Sequence, residues 1–356
     1  MEKKKFKINL GTFDPAKGFG ILSVILIHTV SYYDAEKSKA LQILFYYLKM
    51  IAPGIMPMFL IIIGYRFRDT TFKKMLEKTF HDYIVPYFWV MIGYAIVYPI
   101  IMLILWKSWP NAIHETARFV LAFLLGLSKE GFVLFGYTLR FCAAAWFFLA
   151  SFLALNLLNL LVKCKNVFLQ LALVILCTLL GYVLLLHDFF YYCLPQGLMI
   201  IIYCYVGYLI KQYNLLERMV HSVWLYAILI PIALAEGIWG YFDISSGTTN
   251  GFLPNCIGST CSGLLFVLLW VAAGQYEGKF IDLIRKIGTY SYWILAIHSV
   301  EMMALPWTLW PGVIPDHPVL AYGIEQFLRV ILLTTCCCIL KKIVRFRYKR
   351  RISCHV

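Results

Sequence analysis

Long apolar runs, repeated from one end of the chain to the other, limit what this sequence can become more than any motif does. A helix crosses the hydrocarbon of a bilayer in about 20 residues. Cutting the runs at Pro, Gly and charge clusters leaves ten segments of roughly that size: 15–33, 41–65, 83–106, 141–162, 167–186, 194–210, 220–241, 258–276, 289–306 and 320–342. The expected fold is all-α, a polytopic membrane protein of about ten transmembrane helices. Charged residues make up 14% of the chain, against about 25% in soluble domains. The deficit is spread evenly, so a single membrane-embedded domain over 1–356 is expected, with basic ends at 1–13 and 343–356 and no separate soluble domain. The run Phe119–Leu127 is too short to span and reads as an interfacial or re-entrant helix.

Lys and Arg orient this array. With both termini in the cytoplasm, 24 of the 32 fall on inner segments and six on outer loops, while Lys49 and Arg329 lie inside spans. Cytoplasmic loops carry such an excess, and one missed span would scramble it. The net charge of +14 therefore marks cytoplasmic loops against anionic headgroups, and no nucleic-acid partner is expected. The basic opening MEKKKFKINL has no small-residue cleavage site after it and reads as a cytoplasmic segment rather than a removed signal. The eleven cysteines form no CxxC pair and no Cys/His metal spacing, so no metal is expected. Cys193 and Cys256 fall in predicted outer loops, where they could pair. The outer loops 107–140, 242–257 and 307–319 carry turn residues, amides and aromatics. They read as solvated loops with an interfacial aromatic belt, or as glycan contacts.

Ionisable groups inside spans are costly and are functional positions by default. Of the eight histidines only His28 and His298 lie well inside predicted spans, and of the carboxylates only Glu236, Glu301 and Glu325 lie within apolar runs. His28 follows Lys17 by eleven residues, roughly 16 Å and about three turns of helix. Both therefore project from one face, the lysine at the cytoplasmic mouth and the histidine near the midplane. His298 sits at similar depth, about 13 Å into its span, with Glu301 one turn further out. Asp14 and Pro15 suit N-cap and N1 positions. Gly18 and Gly20 leave the first turn bare, which favours close approach of a neighbouring helix or a ligand. Glu325 and Arg329, spaced i,i+4, are expected to form a structural pair.

These residues resemble those of a known family. The stretch DPAKGFGILSVILIH (Asp14–His28) is similar to the opening Asp-x-x-Lys-Gly…His signature of the membrane-bound acyltransferase 3 proteins, especially their fucose O-acetylase-like branch. PMFLIIIGY (Pro57–Tyr65), IVPYFW (Ile84–Trp89), AWFFLA (Ala145–Ala150) and IGTYSYWILAIHS (Ile287–Ser299) follow in that family's order. Arg66 and Arg68 stand one residue apart where the family often has Arg-x-x-Arg. The resemblance implies transfer of an acyl group, acetyl by default, from cytoplasmic acyl-CoA to an acceptor at or beyond the outer face of the plasma membrane. The acceptor would be a surface glycan or a lipid-linked sugar. The family's essential histidine maps onto His28 and its basic partner onto Lys17.

On this reading Lys17, with Asp14 beside it, and Arg66, Arg68, Lys73 and Lys74 form the acyl-CoA-binding set, with Arg285 and Lys286 on the same surface. Such cations hold phosphate by charge and hydrogen bonds. The pantetheine arm would bring the thioester to the midplane, where His28 acts as general base; a covalent acyl-histidine is the second route. His298 or Glu301 would orient His28 or relay its proton, the alternative being simple helix–helix hydrogen bonding. Acyl-CoA is the donor substrate, and membrane lipids are the remaining partner. A transporter of a small polar solute such as an amino acid would also place ionisable groups at the midplane. A noncatalytic partner in envelope glycan assembly is a third reading.

Overall fold

The computed structural model describes residues 8–9, 11–30, 32–33, 38–134 and 136–353, without the side chains of Trp106 and 341–353. Helices account for most of it. In chain order they are α1 (Asp14–Val30), α2 (Lys39–Arg66), α3 (Phe72–Thr79), α4 (Val85–Trp106), α5 (Trp109–Leu124), α6 (Trp146–Leu161), α7 (Val167–Leu186), α8 (Leu194–Met199), α9 (Ile201–Gln212), α10 (Leu216–Val220), α11 (Val223–Trp239), α12 (Phe252–Ala273), α13 (Lys279–Thr289), α14 (Ser291–Ala304) and α15 (Pro318–Ser353). Two short antiparallel hairpins interrupt them: β1 (Val133–Leu134) with β2 (Tyr137–Thr138), and β3 (Phe242–Asp243) with β4 (Thr248–Thr249).

Among the described residues, six helical stretches are long and apolar enough to cross a membrane, and the bent pair Tyr191–Met199 and Ile201–Gln212 makes a seventh if counted as one span. The protein is thus a predominantly helical, multi-pass membrane protein of the all-α class. Helices also occupy the other expected segments, but α1 and α11 have 17 residues and α14 only 14, so by length and composition the count stops short of ten.

Several boundaries differ from the sequence reading, each for a local reason. The third segment begins at Phe72 rather than at 83, because nothing between Phe72 and Pro86 breaks a helix. Pro86 has no N–H for the Asp82 carbonyl, and the turn Phe80–Ile84 widens to a π-helix there. The freed Asp82 carbonyl accepts the Tyr292 hydroxyl instead. Nearly half of the expected long loop at 107–140 is α5, a full 16 residues. The sixth segment bends by 44° at its break. The expected outer loop at 242–257 ends early, since α12 starts at Phe252 and takes in Cys256. The ninth segment is preceded by a separate amphipathic helix, α13, which stops at Tyr290.

Close helix contacts rest on paired glycines, as they do where apolar side chains gain nothing by leaving lipid. A Cβ on Gly64 of α2 would lie 1.9 Å from the Cys204 carbonyl, and one on Gly207 of α9 1.9 Å from the Ile61 carbonyl. Gly18 of α1 and Gly288 of α13 make the same arrangement, at 2.0 Å from the Ile284 carbonyl and 1.7 Å from the Asp14 carbonyl. Gly18 therefore serves helix packing, not ligand access. The helices leave two ends. The basic face carries the start of α1, the end of α2, α3 and α13. The hairpin face carries both hairpins, α5 and the ends of α1 and α14.

Candidate functional site

Two cavities lie along a single stripe of α1. The basic-face cavity, about 380 Å³, is lined by Lys17, Ile21, Val24, Arg66, Lys78 and Tyr292 among others. The hairpin-face cavity, about 600 Å³, is lined by Val24, His28, Lys49, Trp146, Asp243 and Ser245 among others. Val24, Met56, Phe147 and Leu295 line both. Residues 17, 21, 24 and 28 follow the helical spacing i, i+4, i+7, i+11, so one face of α1 forms a wall of each cavity. Lys17 and His28 do share that face, as their spacing requires, but they open into different cavities with an apolar waist between them.

In the basic-face cavity Lys17 Nζ lies 2.6 Å from Asp14 Oδ1, and Thr289 Oγ1 donates to Asp14 Oδ2 at 3.4 Å. Asp14, expected as a helix cap, thus opens α1 and spends its carboxylate on holding Lys17. Arg66 and Lys78 add two more cations to the lining. The rest of the expected phosphate-binding set is not in this lining. Arg68 is exposed, as are Lys73 and Lys74 on α3. Arg285 pairs with Asp282 at 2.5 Å and donates to the Gly274 carbonyl at the end of α12.

At the other end of the stripe, the His28 ring lies 5.7 Å from the ring of His298, centroid to centroid. His298 is wholly buried, its Nδ1 2.6 Å from Glu301 Oε1. In a neutral imidazole a carboxylate there favours the proton on Nδ1, which makes Nε2 the acceptor. Trp307 Nε1 donates to Glu301 Oε2. Arg329 lies 3.5 Å from Glu301 Oε1 and 3.1 Å from Glu325 Oε1, and Tyr33 donates to Glu325 Oε2 at 2.8 Å. The Arg329 guanidinium also stands 4.6 Å over the Trp307 ring. The Glu325–Arg329 pair forms as expected, but it is one link in a buried chain that runs from α15 through α14 to His28. Trp307, expected in a solvated loop, is packed inside that chain.

A family model for the acyltransferase domain, acyltransferase 3, matches residues 11–341. The chain belongs to the acyltransferase 3 family. Comparison with curated proteins and with solved structures gave no match. Membership makes the protein a membrane acyltransferase.

The hairpin-face cavity of this acyltransferase has polar groups that the sequence reading did not single out. Asp243 Oδ1 accepts from the Ser245 amide and hydroxyl at 2.9 and 2.7 Å, and its Oδ2 from Ser246 at 2.6 Å. Gln196 is buried and donates to Ser128 Oγ at 2.6 Å and to the Ser245 carbonyl at 2.8 Å, tying β3–β4 to the segment after α5. Pro53 and Pro57 of α2 also line this cavity. Lacking N–H groups, they leave the Lys49 and Pro53 carbonyls without their helical partners. On the basic face, Lys78, Thr289, Ser291 and Tyr292 were missed; the last three sit in IGTYSYWILAIHS, whose local signal was only its family resemblance. Glu236 does not join either cavity. It lines a separate groove between α11 and α12 with Trp239 and Asn255.

Proposed function

We propose that this acyltransferase moves an acyl group, acetyl by default, from acyl-CoA at the basic face to a hydroxyl of a sugar held in the hairpin-face cavity. The sugar would belong to a surface glycan or a lipid-linked precursor, as the resemblance to the fucose O-acetylase-like branch implies. The basic face is cytoplasmic in this reading, with ten spans, both termini inside and the protein in the plasma membrane. The observation that carries it is the waist of Val24, Met56, Phe147 and Leu295 shared by a cation-lined cavity and a histidine-lined one.

Arg66, Lys78 and Lys17 would bind the phosphates of acyl-CoA, with Asp14 fixing the lysine's position. The thioester would reach the waist, one helical turn from His28. The acceptor oxygen attacks the carbonyl carbon, the carbon–sulfur bond breaks, and the thiolate leaves. His28 takes the hydroxyl proton and returns it to the sulfur. His298, held in one tautomer by Glu301, orients His28. Asp243, Ser245 and Ser128, set among the aromatic walls of Trp146, Phe141 and Phe242, suit a polyhydroxyl ligand, since a few fixed polar groups among apolar walls give such a site its orientation.

The test uses purified protein in nanodiscs with radiolabelled acetyl-CoA. Wild type should bind it and release CoA, and His28→Ala should bind without release. Two cavities converging on a waist also suit a transporter of a small polar solute. Well-folded wild type that binds no acyl-CoA would overturn the acyl-transfer reading in favour of that one.

A further inference from the structure

Cys142 and Cys193 are 51 residues apart in sequence, yet their sulfurs lie 4.0 Å from one another, and both residues are fully buried. The sequence alone allows Cys193 to pair with Cys256; the structure puts Cys256 in α12, hydrogen-bonded through its carbonyl to Ser259 and Thr260. We propose that Cys142 and Cys193 are a modification site, joined by a disulfide on the outer face of the membrane. The inference rests on the orientation proposed above, which puts the hairpin face in the compartment where disulfides persist.

The surroundings of the pair argue for it. The two cysteines are docked on one strip of backbone: the Cys142 amide donates to the Leu127 carbonyl at 2.7 Å, and the Cys193 amide to the Gly126 carbonyl at 3.0 Å. As a thiol Cys193 donates to that same Gly126 carbonyl at 3.2 Å, a contact that the disulfide would replace. The flanking backbone is strained. Ala143, Tyr192 and Cys193 all have left-handed φ, at 47°, 55° and 49°. L-residues hold that conformation only where their surroundings over-determine it. A bond between the two segments would supply such a constraint. A sulfur–sulfur bond is about 2.05 Å long, so forming it draws the two sulfurs about 2 Å closer than their 4.0 Å separation.

The bond would also matter to the acceptor cavity. Phe141, Ala143 and Ala144 line it next to Cys142, and Gln196, three residues after Cys193, holds Ser128 and Ser245 in place. Linking 142 to 193 would fix one wall of the cavity to its floor.

The chemistry is a two-electron exchange with a dithiol–disulfide oxidant outside the membrane, before the segments pack. One cysteine thiolate attacks the oxidant's disulfide and forms a mixed disulfide. The second thiolate displaces the oxidant's remaining sulfur. Cys142 and Cys193 lose two electrons and two protons in all, and the oxidant leaves as a dithiol.

The test takes the full-length protein from acid-quenched cells, blocks free thiols with N-ethylmaleimide, and maps cysteine peptides by mass spectrometry without reduction. A linked Cys142–Cys193 peptide is the expected result. Alkylation of both cysteines, or a link from Cys193 to Cys256, overturns the proposal. In parallel, a Thr248→Cys variant is labelled with a membrane-impermeant maleimide on intact cells. If Thr248→Cys is labelled and both thiols are alkylated, only the bond fails. If Thr248→Cys is not labelled, the orientation fails, and alkylated thiols then overturn both.

Discussion

Glu301 Oε1 serves two partners at once, His298 Nδ1 at 2.6 Å and Arg329 Nη1 at 3.5 Å. The imidazole that backs His28 is therefore held by an oxygen whose charge is balanced from α15. Glu301→Gln keeps the shape but lets the amide either donate or accept, so the His298 tautomer is no longer specified. CoA-release kinetics should show kcat falling by about tenfold or more, equivalent to about 1.4 kcal/mol of transition-state stabilisation, with KM for acyl-CoA unchanged. A rise in KM alone would place Glu301 in donor binding.

His28→Ala should lower turnover by about 10²–10⁴-fold, the range supplied by a positioned general base. Equilibrium binding of acetyl-CoA should persist, because His28 does not line the basic-face cavity. Turnover at the wild-type rate would remove His28 from the chemistry.

Arg329 is buried between two carboxylates. Arg329→Met should destabilise the protein by about 3–5 kcal/mol, since removing one partner leaves uncompensated buried charge. Thermal unfolding in nanodiscs reads this directly. Adding Glu325→Gln should restore part of the loss, because it removes one of the two stranded carboxylates.

Arg66→Ala and Lys78→Ala should each raise KM for acetyl-CoA, by roughly tenfold for the loss of one charge-assisted contact, and leave kcat nearly unchanged. Lys73→Ala and Lys74→Ala should have little effect, since neither side chain lines the cavity. Raising the salt concentration should weaken binding to wild type more than to the Arg66 variant.

Glu115 clasps α5 to the β1–β2 hairpin, 2.5 Å from Arg118 and 3.1 Å from Arg140. Burial pushes its carboxyl up, but hydrogen bonds and charge from the two arginines outweigh that and hold it below its ordinary value of 4.5. A carboxyl depressed in the folded state contributes stability above its unfolded pKa and loses it as pH falls through the folded one. The protection of amides in 109–140, taken relative to the intrinsic exchange rate at each pH, should therefore be constant near neutrality and fall as pH drops below about 4.5. In Glu115→Gln that protection should be lower at neutral pH and lack the acid step.

What could be read from the amino-acid sequence was what a single helix decides. Apolar runs marked the helices, and eleven residues from Lys17 to His28 set both on one stripe of α1, because 3.6 residues per turn is a property of local backbone geometry. His298 and Glu301 were legible for the same reason, one turn apart in an apolar run where charge is costly. The hidden parts were those that need two elements. No local pattern says that Met56, Phe147 and Leu295, from α2, α6 and α14, close a waist against Val24. None says that Trp307 folds back from a loop onto Glu301, or that Cys193 meets Cys142 and not Cys256. Nor does composition separate Lys78, which lines the cavity, from Lys74 one turn earlier. Such choices follow from which helix faces pack, through Gly18 on Gly288 and Gly64 on Gly207, and packing depends on contacts distant in the chain that no spacing within one segment encodes.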